Sequence, residues 1–538
     1  MEAFDHVIVG AGSAGCALAE RLSRDPRARV LLIEAGGSDR RLRVKVPIGY
    51  GMAFHDPAVN WRLTADPDPG LDGRAVYVPR GRVLGGSSAI NAMVYVRGLP
   101  ADYEDWRAAG NPGWGWDEVA AAFARLETRV APDGAETGGG PVRVADRAAE
   151  YHPLKRRFLA AAREAGLPLT ADMNGPSPEG VGAYALTTRQ GLRWSAADAF
   201  LRPALRRPNL ALRTGLTVTR LRIEGGRAVG VEARDGRGGA HAFGARYGVV
   251  LAAGAVGSPQ ILQLSGVGPG ALLQRLGLPV VLDNPAVGGG LQDHLGVNYF
   301  YRSREPTLNQ AFGTWPGRIA AALAFALARR GPFSLGVNQM GGMVRSRPDA
   351  PAPDMQLYFN PLSYSGTFAG KRPLMRPDPF PGFIISFNPC RPTSRGRIDL
   401  ASPDPAAPPR IAPGYLSTNE DVAQVLAGAR LVGRLQETAA LRALLAAPPA
   451  FDPSRASEAE ILADFRARAG SVFHLCGTCR MAARADGGVV DARLRLHGID
   501  GLRVADASAF PNVTSANTNA PTLMLAARAG EMIAADAA

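Results

Sequence analysis

The chain has 538 residues, 46% of them hydrophobic and 20% charged, with four cysteines and a formal net charge of +13. That is ample apolar sequence for two or more domains with large cores, and four cysteines in so long a chain exclude a disulfide framework. The basic excess is almost all arginine, spread among acidic residues without a run of five or six, which argues against nucleic-acid binding.

His6-Val-Ile-Val-Gly10 reads as an apolar strand, Gly10-Ala-Gly12-Ser13-Ala-Gly15 as the turn into a helix ending near Arg24, and Val30-Leu-Leu-Ile33 as a second strand ending at Glu34. Together they form a βαβ unit. Gly10 allows the tight turn, Gly12 lets a pyrophosphate approach, and Gly15 lets helix and strand pack closely, with the helix N-terminus facing the negative charge. Glu34 follows Gly15 by 19 residues, the place of the acid that binds a ribose hydroxyl. A dinucleotide site follows, with Ser13 and Ala35 also expected in it. The motif alone does not separate NAD from FAD.

A Gly/Pro-rich, turn-rich region fills roughly 36–115 and holds the dense segment Gly81-Arg-Val-Leu-Gly85-Gly86-Ser87-Ser88-Ala-Ile90-Asn91. Helical patterns follow near 117–127 and 153–165, and strand-like ones at 210–223 and 228–234. The buried strand Tyr247–Ala253 leads into Gly254-Ala-Val-Gly257-Ser258-Pro259. The proline-bearing middle, about 298–460, reads as a cap over the nucleotide-binding part. Its apolar run Ile319–Ala328 is far short of the about 20 residues a bilayer span needs, so no transmembrane segment is expected. With no basic leader at the N-terminus either, the expected location is the cytoplasm. Motif-dense sequence returns at His474–Met481, Leu502–Asp506 and Asn517–Thr522. Cys476-x-x-Cys479 has redox or metal spacing, but only His474 stands near as a further ligand, so no metal is expected.

These four motif regions, in this order, resemble the glucose–methanol–choline (GMC) oxidoreductase family over nearly the whole chain. Gly81–Gly98 and Gly254–Gly268 are similar to its two signatures, His474–Met481 to its catalytic-histidine loop, and Asp506–Thr522 to its C-terminal flavin and active-site segment. The resemblance implies an α/β fold. A Rossmann-like FAD-binding domain would take 1–155, 205–297 and 466–538, and a substrate-binding domain on an antiparallel sheet with helices would take 156–204 and 298–465. It implies FAD, held by the βαβ residues together with Gly85, Gly86, Ser87, Asn91, Ala92, Met93, Val94, Val218, Ala253, Asp506, Ala507, Asn517 and Thr518. It implies oxidation of an alcohol, with His474 as the base that takes the hydroxyl proton and Asn517 as its partner.

The chemistry suits these residue types. A neutral imidazole works near its ordinary pKa of about 6.5. An amide can donate to a developing alkoxide without adding a second titrating group. Asn519 is the neighbour that could be confused with Asn517, and an Asn at this place could also simply cap the last helix. Of the seven histidines, His294 in Gln292-Asp293-His294 is expected to make an interdomain hydrogen bond. Ile90 stands where covalent members of the family carry His, which implies noncovalent FAD. Gln339 stands where choline dehydrogenases carry an acid, which implies an uncharged primary alcohol, aromatic ones included, in a pocket with Tyr358 and Phe473. Leu475 replaces the family's usual Pro. Other readings are a light-driven fatty-acid decarboxylase of the same family, a choline-type dehydrogenase and a non-catalytic FAD-binding protein. Oxygen and a quinone-like acceptor both stay open, with Val472 a slight lean to oxygen, and so does a homodimer.

Overall fold

A computed structural model describes residues 1–364 and 376–537; the stretch 365–375, assigned above to the substrate side, lies outside the described residues. The elements that position the site are, in chain order, β1 (Glu2–Val9), α1 (Ser13–Leu22), β2 (Val30–Glu34), β3 (Leu210–Thr214), β4 (Leu216–Glu224), β5 (Arg227–Asp235), β6 (Ala240–Leu251) and α2 (Gly254–Leu264). They continue with β7 (Leu295–Arg302), α3 (Trp315–Ala328), β8 (Met340–Val344), β9 (Met355–Asn360), β10 (Gly382–Pro389), β11 (Gly470–Ser471), β12 (Leu502–Val504) and α4 (Asn519–Ala537).

The first sheet runs β3-β2-β1-β6-β5-β4, with β12 also on β6. Its pairs β3–β2, β2–β1, β1–β6 and β6–β12 are parallel. Val7–Val9 and Val30–Glu34 are buried without alternation, as parallel strands covered on both faces must be. Helix α1 packs on α4, so the last helix of the chain closes over the first βαβ unit. A Cβ on Gly15 would lie 1.8 Å from the Gly10 carbonyl oxygen, so only glycine permits this closeness.

The second sheet runs β8-β9-β10-β7-β11 and is antiparallel throughout. Two large cores follow, one under each sheet, with a small third cluster of Val44, Ala53, Val59, Val83, Ala89 and Ile90. Strand β7 begins at Leu295, directly after His294, and β11 ends three residues before His474. The Leu295↔Ser471 pairing therefore brings two histidines 180 residues apart to one sheet edge. Residues 185–186, assigned above to the substrate side, pair with 94–95 and with Ala145 in a separate sheet. No helix among the described residues is long and apolar enough to cross a membrane.

Candidate active site

A cavity of about 930 Å³ lies between the two sheets. Gly10, Gly12, Ser13, Glu34, Ala35, Gly86, Ser87, Asn91, Ala92, Met93, Val94, Val218, Ala253, Asp506, Ala507, Asn517 and Thr518 all line it. The cradle is shaped for close approach. A Cβ on Gly10 would lie 2.6 Å from the Ala252 carbonyl, and one on Gly86 2.6 Å from the Gly12 Cα. Gly12 itself has nothing nearer than 3.9 Å, which leaves its outer side open for a ligand. Both Glu34 oxygens accept main-chain N–H groups, from Ala11 (2.9 Å) and Gly36 (2.8 Å). Burial pushes its carboxyl up to about 7. Glu34 thus shapes the glycine turn while keeping lone pairs toward the cavity. These residues fit a dinucleotide such as FAD.

Two residues assigned to the cofactor do not line the cavity. Gly15 lies within α1 and serves the packing described above. Gly85, at φ +88°, makes the turn before Gly86–Ala89 and backs onto Ser195 and Ala197. Asp506 is a fastener: its carboxylate accepts from Gly254 N (2.8 Å), Ser258 Oγ (2.6 Å) and Ser508 N (2.7 Å), tying the start of α2 to the C-terminal motif.

His474 and Asn517 meet at the cavity wall, with Asn517 Nδ2 3.1 Å from His474 Nε2. Asn519 is held elsewhere, its Oδ1 accepting from Ser13 Oγ at 2.8 Å. The protons on this cluster follow from its ends. The Cys390 carbonyl can only accept, and His294 Nε2 is 2.8 Å from it, so His294 carries its proton there. Burial lowers the His294 pKa to about 4, so its ring is neutral and Nδ1 is bare. His474 Nδ1, 2.8 Å away, must then be the donor, and His474 Nε2 keeps its lone pair. From the other side, Gln356 Nε2 donates to Asn517 Oδ1 at 3.2 Å, which turns the Asn517 NH₂ toward that lone pair. Burial, with His294 and Arg80 adding to it, holds the His474 pKa well below 6.5.

The loop is pinned from behind. Asp293 accepts from His474 N (2.7 Å), Ser471 Oγ (2.5 Å) and Tyr415 OH (2.7 Å). Phe473 has φ +71°, a left-handed backbone that is costly for a bulky residue. Ser471 Oγ accepts its N–H, and Arg80 donates to its carbonyl. Its ring meets Phe54 edge-on at 5.4 Å.

Phe473 and Tyr358 line the cavity; Gln339 does not. Its Oε1 accepts from His152 N at 2.8 Å and its Nε2 donates to the Gly336 carbonyl, so it is structural. The cavity wall instead includes Tyr50, Phe54, Asn298, Asn360, Tyr364 and Ser386, none singled out from sequence. Asn298 and Ser386 are directly paired across β7 and β10, inside the stretch 298–460 that the sequence marks only as a cap. Cys476 and Cys479 are buried, with thiols pushed up by burial. Among the described residues no group of three or more His, Cys, Asp or Glu could hold a metal.

Family models of GMC oxidoreductase match residues 4–296 and 392–526. An alcohol dehydrogenase [acceptor] from Pseudomonas putida is 38% identical over 98% of this chain and 95% of its own length. The mitochondrial choline dehydrogenase of Mus musculus is 39% identical over 98% of this chain and 89% of its own. The crystal structure of pyridoxine 4-oxidase from Mesorbium loti superposes with a TM-score of 0.87 at 32% identity, over 98% of both chains.

Proposed function

The chain belongs to the GMC oxidoreductase family, an FAD-dependent oxidoreductase acting on alcohols, and from that premise we propose that it oxidises an uncharged primary alcohol to the aldehyde with His474 as base. The observation that carries this is the bare Nε2 of His474 beside the Asn517 NH₂. An alcohol oxygen seated between them donates its proton to Nε2 and accepts from Nδ2, and the same amide then stabilises the alkoxide. FAD supplies the hydride acceptor when bound. Asp293, Ser471 and Arg80 hold the loop so that the imidazole does not have to reorganise during the step.

The charge of the wall supports a neutral substrate. The carboxylates lining the cavity are Glu34, Asp66 and Asp506. Glu34 and Asp506 are engaged by main-chain N–H groups as described, and Asp66 pairs with Arg410 at 2.9 Å, so among the described residues no lining carboxylate is without a partner. Tyr50, Phe54, Tyr358 and Phe473 give the wall flat apolar surface suited to an aryl or alkyl group.

Anaerobic mixing of the FAD-loaded protein with benzyl-type alcohols, aliphatic alcohols and choline tests this. Bleaching of the flavin in the dark by neutral alcohols is expected. A kcat/KM for choline equal to or above that of the best neutral alcohol overturns the substrate assignment, because the aromatic wall would then be acting as a cation cage. Light-dependent CO2 release from a fatty acid, without dark bleaching by any alcohol, overturns the reaction.

A further inference from the structure

Helix α3 is apolar on both sides. Its inner face sinks Ala321 and Phe325 into the protein. Its outer face carries Trp315, Ile319, Leu323 and Leu327, exposed by 75, 56, 54 and 85%. The spacing of four sets them in one row. A helix apolar all round needs apolar matter on both sides, yet the 14 residues of α3 cannot cross a bilayer, which takes about 20. Single exposed apolar side chains are ordinary; a contiguous row of this size marks an interaction surface.

The chain segment that carries the row bears charge of one sign. Between Glu305 and Asp349 the sequence holds no acidic residue, while Arg318, Arg329 and Arg330 accompany the helix. Arg318 lies over the Trp315 ring at 5.7 Å, and Arg329 over Phe325 at 4.9 Å. The surface continues through packed neighbours: α3 rests on Pro332–Ser334, that turn on Pro47–Gly49, and that one on Leu42–Lys45. Immediately before and within the last of these lies the exposed run Arg40-Arg41-Leu42-Arg43, with Leu42 79% exposed. Arg43 pairs with Asp56.

We propose that this face docks the protein onto an anionic phospholipid surface, the α3 row entering the acyl boundary while the arginines meet headgroup phosphates. Charge complementarity selects this occupant. A second copy placed here would set two acid-free, arginine-bearing segments against each other. The docking elements also border the cavity: Tyr50 follows Pro47–Gly49, and Val337 and Asn338 follow Pro332–Ser334. The residues that adjoin the docking face thereby form part of the wall of the cavity that holds His474.

The test sediments the FAD-loaded protein with vesicles of phosphatidylcholine alone or mixed with phosphatidylglycerol, at low and high salt. It is run beside Ile319→Asp/Leu323→Asp and the single variant Leu327→Asp, with bound FAD as the check on folding. The expected result is binding to the anionic vesicles only, weakened by salt, and reduced by about tenfold or more in the double variant. Binding to neither vesicle at low salt, equal binding to both, or binding unchanged by the aspartates overturns the proposal. So does a vesicle-free shift from dimer to monomer in the variants, which would give the row to a second copy.

Discussion

Replacing His294 by Leu should slow flavin reduction without weakening alcohol binding. Leucine keeps bulk but offers no acceptor to His474 Nδ1–H, now 2.8 Å from the His294 ring nitrogen. That N–H would sit buried and unpaired, a cost of about 1–3 kcal/mol, and the ring escapes it by moving its proton to Nε2. The productive tautomer then becomes the minor one. At about 1.4 kcal/mol per factor of ten, the limiting rate of reduction should fall roughly 10- to 100-fold. His294→Asn sets an amide oxygen near the place of the lost Nδ1 and should recover most of the rate. Stopped-flow reduction under anaerobic conditions separates the limiting rate from the apparent Kd, which should be unchanged in both variants. A wild-type rate in His294→Leu, or an Asn variant as slow as the Leu variant, would refute the tautomer argument.

His474→Ala should retain FAD yet reduce it about 10²–10⁴-fold more slowly, the usual worth of a general base; retention of the wild-type rate would remove His474 from the mechanism. The acid limb of the reduction rate should fall below pH 6.5, because burial lowers the His474 pKa and the base stays neutral as pH drops; a rate halved near 6.5 contradicts this. FAD should go to the supernatant on acid precipitation, since Ile90 on the cavity wall has no nucleophile to bond it, and colour in the pellet would show a covalent link.

The glycine turn was legible because its logic is local: spacing, a strand before it and a helix after. The second sheet was legible only in outline, through the family resemblance. His474 and Asn517 lie 43 residues apart, and no periodicity joins them; the resemblance of the two loops did. The sequence gives His294 a hydrogen-bonding role, and its Nε2 donates to the Cys390 carbonyl. Its other nitrogen was invisible, because the Leu295↔Ser471 register that aims it at His474 is a long-range pairing. The Asp293-His294 adjacency was the available signal, since Asp293 also bonds the His474 amide. Gln339 misled because its place one residue before β8 fixes proximity to the cavity but not which way a side chain turns; His152 N claims it.

The left-handed backbone at Phe473 makes this position an unusual handle for redesign. An L-residue there costs about 1–2 kcal/mol in backbone conformation, a penalty glycine does not carry. Truncating an aromatic elsewhere on the wall forfeits packing outright. At residue 473 the half-buried ring leaves behind a relaxed main chain, which offsets part of the loss. Phe473→Gly should therefore open space beside His474 for bulkier alcohols at a smaller sacrifice of stability than Tyr50→Gly, whose ring is buried.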